Sequence, residues 1–204
     1  MSQPEQPQLY LLTPPVLDLS QFPETLARVL DAHPAACLRL ALATRDEDRI
    51  ARAADACRAV AHARDVAVVV DDHAGLATRL GLDGVHLTDA ARSVRDARKA
   101  LGPDAIVGSL CGTSRHDGMT AGEAGADYVA FGPVTALADE AVADADLFAW
   151  WSEMIEVPVV AEGGMTPAQV AVLAPVTDFL AVGEEIWGHD DPAAALATLL
   201  APLG

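Results

Sequence analysis

Two apolar runs near the end of the chain stop at glycine and are candidates for binding an anion. Residues 157–161 precede Gly163 and Gly164, and residues 179–182 precede Gly183. Buried parallel strands are apolar throughout because both of their faces are covered. Glycine after such a strand lets backbone amides approach a ligand closely. Gly163, Gly164 and Gly183 therefore predict a phosphate site of the kind that barrel enzymes place after their last two strands.

Polar side chains also follow earlier apolar runs. The carboxyl ends of parallel barrel strands meet at one mouth, where the chemistry of such folds is carried out. A guanidinium group there can bind carboxylates or phosphates, and carboxylate oxygens can bind hard cations. The residues in such positions include Arg39, Asp71, Asp72, Asp89 and Ser109.

Several of these residues have an equally simple structural interpretation. Arg39 could form an ion pair with Asp71 or Asp72 across the mouth instead of binding a ligand. The two aspartates could instead cap the helix that follows them. Glu184 and Glu185 are typical of the first turn of a short helix, which their charge would stabilise.

The elements that must position these residues alternate between strand and helix along the whole chain. About eight strand–helix units predict an α/β protein with a closed parallel (β/α)8 barrel, the TIM-barrel architecture. An open, doubly wound sheet is the alternative, which is disfavoured because no glycine-rich fingerprint opens the first helix. We expect one domain over residues 1–204, with residues 1–8 as a polar tail. The predicted strands are residues 9–12, 36–42, 66–70, 84–87, 105–107, 128–131, 157–161 and 179–182.

The charge balance excludes one class of partner. The chain has 30 acidic and 13 basic residues, a net charge of −17. It therefore lacks the basic surface that neutralises nucleic-acid phosphates, and we expect no nucleic-acid partner. The same charge opposes binding of a diphosphate unless a metal ion or local basic groups compensate.

The cellular setting is predicted by what the sequence lacks. The apolar runs are too short to span a bilayer, and the polar start is unlike a secretory signal. Cys37, Cys57 and Cys111 are odd in number, widely spaced and without metal-binding spacing. These features predict a cytoplasmic protein with no membrane partner. A homo-oligomer is compatible with the sequence, which leaves the oligomeric state open.

Four short motifs follow one another in a fixed order. They are residues 71–77, 81–87, 125–134 and 157–164, within a match that extends over about residues 36–186. Together they resemble the thiamine-phosphate synthase family, which includes the TenI-type thiazole tautomerases. The resemblance implies a TIM barrel that binds a thiazole phosphate and, in the synthase, a hydroxymethylpyrimidine diphosphate with Mg²⁺. In that reaction diphosphate leaves the pyrimidine methylene, and the thiazole nitrogen attacks the carbocation-like centre.

Some of the family's site residues are retained. The resemblance implies that Arg39, Asp71 and Ser109 bind substrate and that Asp72 is a ligand of Mg²⁺. Asp71 replaces the family's substrate-binding amide, and Ser109 lies next to the position of the family's serine. The second metal carboxylate is replaced by alanine, so the resemblance makes Asp89 the best substitute.

Other positions depart from the family in the direction of negative charge. Ala41 and Glu140 stand where the family has lysines, and Glu184 replaces the serine of the last phosphate loop. Pro133 stands where the tautomerases have a histidine. Diphosphate departure needs positive charge where negative charge develops. These departures predict that synthase activity is weak or lost and that Mg²⁺ binds weakly.

Two classes of function follow from these observations. The first is a synthase-family protein that binds a thiazole phosphate or related phosphorylated heterocycle at the barrel mouth. If active, it is a transferase that joins the pyrimidine diphosphate to the thiazole phosphate. The second is a non-catalytic barrel that binds a small ligand or a partner protein. An enzyme of the first class should show cations converging on the mouth.

Overall fold

The computed structural model describes residues 6–136 and 141–204. Its strands form one closed barrel in which each strand pairs in parallel with the next and the last pairs with the first. The predicted closed barrel is therefore confirmed. The strands are β1 Gln8–Leu12, β2 Ala35–Leu40, β3 Ala67–Asp71, β4 Gly84–Leu87, β5 Ile106–Leu110, β6 Tyr128–Phe131, β7 Val159–Ala161 and β8 Phe179–Val182.

Helices cover the outside of the barrel and follow its strands in order. Many begin at a polar residue whose side chain accepts hydrogen bonds from free amides of the first turn. The Asp46 carboxylate, for example, accepts from the amides of Asp48 and Arg49. The helices are α1 Phe22–Ala32, α2 Glu47–His62, α3 Ala74–Leu80, α4 Val94–Leu101, α5 Arg115–Ala124, α6 Ala145–Met154, α7 Pro167–Leu173, α8 Glu184–Trp187 and α9 Pro192–Leu200, with 3-10 turns at Ala174–Val176 and Ala201–Leu203.

The alternation of side chains along the strands divides the core into two parts. One set packs between the barrel and the helices and includes Phe131, Phe148 and Trp151. The ring centroids of Phe131 and Trp151 are 5.0 Å apart in an edge-to-face arrangement. A smaller set fills the barrel interior and contains Tyr10, Cys37, Val69, Tyr128, Ala130, Val160 and Ala181.

Three aspartates stabilise the amino-terminal end of the barrel. Each precedes a strand and accepts a hydrogen bond from an amide of the strand before it. Asp83 accepts from Val68, Asp127 from Val107, and Asp178 from Val159. Part of the acidic composition is therefore structural and lies away from the mouth.

The predicted bounds coincide with the observed ones for β4, β6 and β8, whereas those of β1, β2, β3, β5 and β7 differ by one to three residues. β5 extends to Leu110 and includes Gly108. Glycine is needed at this strand position because a Cβ atom there would come within 2.0 Å of the Tyr128 ring. α4 begins at Val94 rather than at residue 91. The predicted polar tail is too long, because Gln8 already belongs to β1 and its amide donates to the Asp178 carbonyl.

Two further predictions concern the surroundings of the chain. Within residues 6–136 and 141–204, the structure contains no helix of the length and apolarity needed to cross a bilayer. Cys37, Cys57 and Cys111 are all buried free thiols. Burial raises the pKa of Cys37 and Cys57 to about 12 and that of Cys111 to about 11, so none is a reactive thiolate at neutral pH.

Candidate active site at the barrel mouth

Arg39 lies at the centre of an ion-pair cluster in the upper part of the barrel. It is on β2 and is 5% exposed. Its Nε donates to Oδ1 of Asp71, the last residue of β3, at 2.6 Å. Its terminal nitrogen donates to Oε2 of Glu162, which follows β7, at 2.8 Å. The predicted ion pair with Asp71 is therefore present, and Glu162 completes it from the opposite side of the barrel.

The positive charge of Arg39 is fully neutralised within this cluster. Burial acts to lower the pKa of Arg39, but the carboxylates of Glu162 and Asp71 outweigh it and raise that pKa. Burial raises the pKa of Asp71, and Arg39 opposes the rise. With all three groups ionised, the single positive charge faces two negative ones. Arg39 therefore has no charge left over for an anionic substrate.

A chain of hydrogen bonds fills the barrel below the Arg39 cluster. The hydroxyls of Tyr10 and Tyr128 are 2.6 Å apart, and Nδ1 of His86 lies 2.9 Å from the Tyr128 hydroxyl. His86 is 0% exposed, and its Nε2 has no partner among the described residues. Burial and the nearby Arg39 charge lower the pKa of His86 well below its ordinary value. His86 is therefore a neutral core residue.

The two predicted glycine loops lie side by side at the mouth. Gly163 and Gly164 have φ angles of +85° and +76°, which side chains rarely adopt. The amides of Gly164 and Met165 both donate to Oε1 of Glu185, at 3.1 and 3.0 Å. The amide of Gly183 donates to Oε2 of the same carboxylate at 2.7 Å. The amides of the two loops therefore bind an anion, and that anion is the carboxylate of Glu185.

A cavity of about 270 Å³ opens beside these loops. Its size is just below the range of about 300 to 1,000 Å³ that is typical of ligand sites. Ala41 occupies its wall where a lysine would supply positive charge. Within the described ranges, the charged residues of the lining are all glutamates. The lining comprises Leu12, Thr13, Pro15, Ala41, Ala181, Gly163, Gly164, Gly183, Glu162, Glu184 and Glu185.

Asp72 and Asp89, the predicted ligands of Mg²⁺, lie on neighbouring loops. Both carboxylate oxygens of Asp72 already accept hydrogen bonds from Thr88, one from its amide and one from its hydroxyl. Asp89 accepts from the Ser93 hydroxyl, and its Oδ1 is buried without a partner in the part of the chain that the structure covers.

That donor set fits a metal ion poorly. Among residues 6–136 and 141–204 no three His, Cys, Asp or Glu side chains are grouped to hold a metal. Mg²⁺ can rest on one or two carboxylates with water completing its shell. The unpartnered oxygen of Asp89 is compatible with such a weak site, which remains a prediction.

The other predicted site residues have structural partners. Ser109 is fully buried, and its hydroxyl donates to the Ala90 carbonyl at 2.8 Å. The interpretation of Asp71 and Asp72 as helix caps is wrong, because α3 follows His73 and has no side-chain cap. Glu140 lies outside the described residues, so its predicted charge reversal is not described by the structure.

The sequence places Glu162 and Glu185 at the mouth but does not show what they bind. Glu162 directly follows an apolar strand, where a charged residue is itself a signal of a site. The helix-capping interpretation of Glu185 accounts for only one of its bonds. Its bond to Gly183 is local, but its bonds to Gly164 and Met165 join two loops about 20 residues apart in sequence, which spacing alone does not show.

Comparison with known proteins identifies the family. The sequence model of the thiamine monophosphate synthase family matches residues 9–186. A thiamine-phosphate synthase from Rhodospirillum centenum is 46% identical over 194 residues, which cover 93% of this chain and 94% of that protein. One from Erythrobacter litoralis is 42% identical over 199 residues, covering 93% and 92%.

Solved structures agree with the fold. A thiamine phosphate pyrophosphorylase from Pyrococcus furiosus superimposes with a TM-score of 0.80 at 24% identity, covering 97% of each chain. A 3-hexulose-6-phosphate synthase superimposes with a TM-score of 0.70 at 20% identity, covering 95% of this chain and 99% of that one. At these sequence identities, the two structural matches show only that the barrel fold is shared. The family model matches most of this chain, and the two synthases are similar to it over most of its length. The chain therefore belongs to the thiamine-phosphate synthase family of thiamine biosynthesis.

Proposed function

We propose that this protein binds a thiazole phosphate or a related phosphorylated heterocycle at the barrel mouth and makes thiamine phosphate slowly or not at all. The observation that carries this proposal is the state of Arg39. Its guanidinium is buried and neutralised by Asp71 and Glu162, so it offers no free positive charge to a substrate.

The chemistry of the synthase explains why this matters. As diphosphate leaves the pyrimidine methylene, negative charge grows on its oxygens and must be stabilised by preorganised cations or a metal ion. The charged groups that line the described part of the cavity are instead Glu162, Glu184 and Glu185. A like charge about 5 Å from a phosphate costs about 3 kcal/mol at an effective dielectric constant of ~20. Glutamates at such distances would outweigh a weakly bound metal.

What the mouth retains favours binding of a smaller anion. The backbone amides of the two glycine loops converge, and converging amides bind phosphate oxygens without any side-chain charge. Leu12 and Pro15 supply an apolar wall against which a heterocycle can pack. A thiazole phosphate carries less negative charge than a diphosphate. Of the two substrates of the synthase, it is the one that this arrangement supports better.

We expect Mg²⁺ to contribute little to ligand binding at the mouth. When bound, Mg²⁺ would offset some of the negative charge near the mouth, with Asp72 and Asp89 as its ligands. Because Asp72 is engaged with Thr88, we expect weak binding. The proposed function does not depend on this ion.

Calorimetric titration of the full chain tests the binding proposal. Thiazole phosphate, hydroxymethylpyrimidine diphosphate and thiamine phosphate are titrated separately, with and without Mg²⁺. We expect thiazole phosphate to bind and the pyrimidine diphosphate to bind at least about tenfold more weakly, a difference of about 1.4 kcal/mol. Tight, Mg²⁺-dependent binding of the diphosphate would contradict the proposal. Absence of binding by all three ligands would favour the alternative, a barrel that serves another small ligand or a partner protein.

A further inference from the structure

Glu185 occupies the place where the two glycine loops would hold a phosphate. Its carboxylate accepts from three amides that come from two separate loops, Gly164 and Met165 in one and Gly183 in the other. The donor–acceptor distances are between 2.7 and 3.1 Å, within the range of N–H···O hydrogen bonds. A carboxylate held in this way presents two oxygens to the amides, as a phosphate monoester would.

Helix capping does not account for this arrangement. Glu185 is the second residue of the four-residue helix α8, and its bond to Gly183 is the local one expected of a first-turn glutamate. The bonds to Gly164 and Met165 lie outside that helix. They occupy amides of the loop after β7 as well, so a single side chain binds amides of both loops.

The surroundings of Glu185 leave room for its side chain to move. On one side it lines the mouth cavity of about 270 Å³. On the other it lines a surface groove of about 580 Å³ that also contains Met165, His189 and Ala194. The side chain therefore stands between two open spaces. A rotation toward the groove would free the three amides and widen the mouth.

We propose that Glu185 is a built-in competitor for phosphate and the specificity-determining residue of this mouth. A phosphorylated ligand binds only when the Glu185 carboxylate has moved from the amides, whereas the corresponding unphosphorylated heterocyclic alcohol binds without displacing it. This inference rests on the proposed assignment of the glycine loops as the phosphate site.

The physical basis is competition within one molecule. Because Glu185 is covalently attached, its carboxylate has a high effective concentration at the amides. A free phosphate must compete with it, whereas a phosphate that binds an unoccupied loop has no such competitor. A phosphate that displaces it also leaves an unpaired carboxylate close to a dianion. Both effects weaken binding of phosphate relative to the alcohol.

Two substitutions and a matched control test the proposal by calorimetry. Glu185→Ala frees the amides and removes the competing charge, and Glu185→Gln removes the charge alone. The control Glu184→Ala removes one charge from the same cavity without releasing the amides. The probes are inorganic phosphate, thiazole phosphate and the unphosphorylated hydroxyethylthiazole. We expect Glu185→Ala to bind both phosphates about tenfold or more tightly than the wild type. Glu184→Ala removes a repulsive charge but leaves the amides occupied, so it should tighten phosphate binding less than Glu185→Ala does, and the alcohol should bind all the proteins alike.

Equal phosphate affinity in the wild type and Glu185→Ala would overturn the proposal, as would an equal gain in Glu184→Ala. A second measurement follows the amides themselves. The amide NMR signals of Gly164, Met165 and Gly183 should shift in the wild type only at phosphate concentrations about tenfold or more above those that shift them in Glu185→Ala or, if that variant does not fold, in Glu185→Gln. Shifts of all three signals at the same phosphate concentration in the wild type and the variant would overturn the proposal. If neither variant folds, shifts of all three wild-type signals at or below about 1 mM phosphate would overturn it. Neither readout involves turnover, so failure here is distinct from the presence of synthase activity.

Discussion

The guanidinium of Arg39 and the carboxylate of Glu162 form a buried ion pair across the barrel, with 2.8 Å between nitrogen and oxygen. Arg39 is on β2 and Glu162 follows β7, so the pair joins strands far apart in the chain. Together with Asp71 it neutralises the arginine that the family resemblance assigns to substrate. This pair is the structural reason why Arg39 offers no free positive charge at the mouth.

Removing Arg39 should therefore damage stability as well as binding. Arg39→Met leaves Asp71 and Glu162 largely buried without their partner, which costs about 3 to 5 kcal/mol of the free energy of unfolding. Urea denaturation measures this loss. The control Arg28→Met removes an exposed arginine whose side chain donates a hydrogen bond to Thr25 and forms no ion pair within the covered ranges, and it should cost less than about 0.5 kcal/mol. A similar small loss in both variants would show that the ion pairs are not maintained.

His86 should make the protein less stable in mild acid. A histidine whose folded pKa is lowered stabilises the fold above its unfolded pKa of about 6.5, and this contribution is lost as the pH falls toward its folded pKa. Between pH 7.5 and 5.5 we expect His86 to account for about 1 kcal/mol of lost unfolding free energy. Denaturant titrations at both pH values should show that His86→Gln lacks this component while His116→Gln, at an exposed histidine, retains it. Equal pH dependence in all three proteins would contradict the assignment.

Gly108 should be intolerant of any side chain. A Cβ atom at this position would lie 2.0 Å from the Tyr128 ring in the packed barrel interior. Gly108→Ala should therefore cost about 3 kcal/mol or more. Gly75→Ala is the matched control, since a Cβ atom there meets nothing within 4 Å and a helical alanine is favoured by about 1 kcal/mol. Thermal melts of the two variants should shift in opposite directions, and a stable Gly108→Ala protein would refute this description of the barrel interior.

Magnesium binding should be weak and should depend on Asp72. Asn is a close substitute because it tolerates the left-handed backbone that Asp72 adopts at φ +57°. We expect titration with Mg²⁺ to give a small heat signal that Asp72→Asn removes and that Asp96→Asn, at an exposed aspartate on α4, does not. A titration that Asp72→Asn leaves unchanged would exclude Asp72 as a ligand.

The sequence was sufficient to predict the fold because its signals are local and repeated. The runs at 84–87, 128–131 and 179–182 coincide with β4, β6 and β8. Apolar runs locate the other strands to within one to three residues, because strand ends also depend on contacts with neighbouring strands. β5 was predicted too short, since Gly108 is typical of a loop and only the neighbouring Tyr128 ring explains its place within a strand.

The site could be predicted only in part because its contacts join residues far apart in the chain. The positions of Arg39 and the glycine loops at the mouth follow from the barrel topology. The pairing of Arg39 with Asp71 was one of two interpretations that the sequence left open. The roles of Glu162 and Glu185 depend on which side chains meet across the closed barrel, and local patterns carry no information about that.

Turnover tests the proposed weakness of synthase activity most directly. A coupled assay follows thiamine phosphate formation from hydroxymethylpyrimidine diphosphate and thiazole phosphate with Mg²⁺, in the wild type and in Ala41→Lys combined with Glu140→Lys. We expect wild-type turnover far below about 1 s⁻¹ and a measurable increase when the two lysines are introduced. Wild-type turnover of about 1 s⁻¹ or above would contradict it and show that the site works with the charges it has.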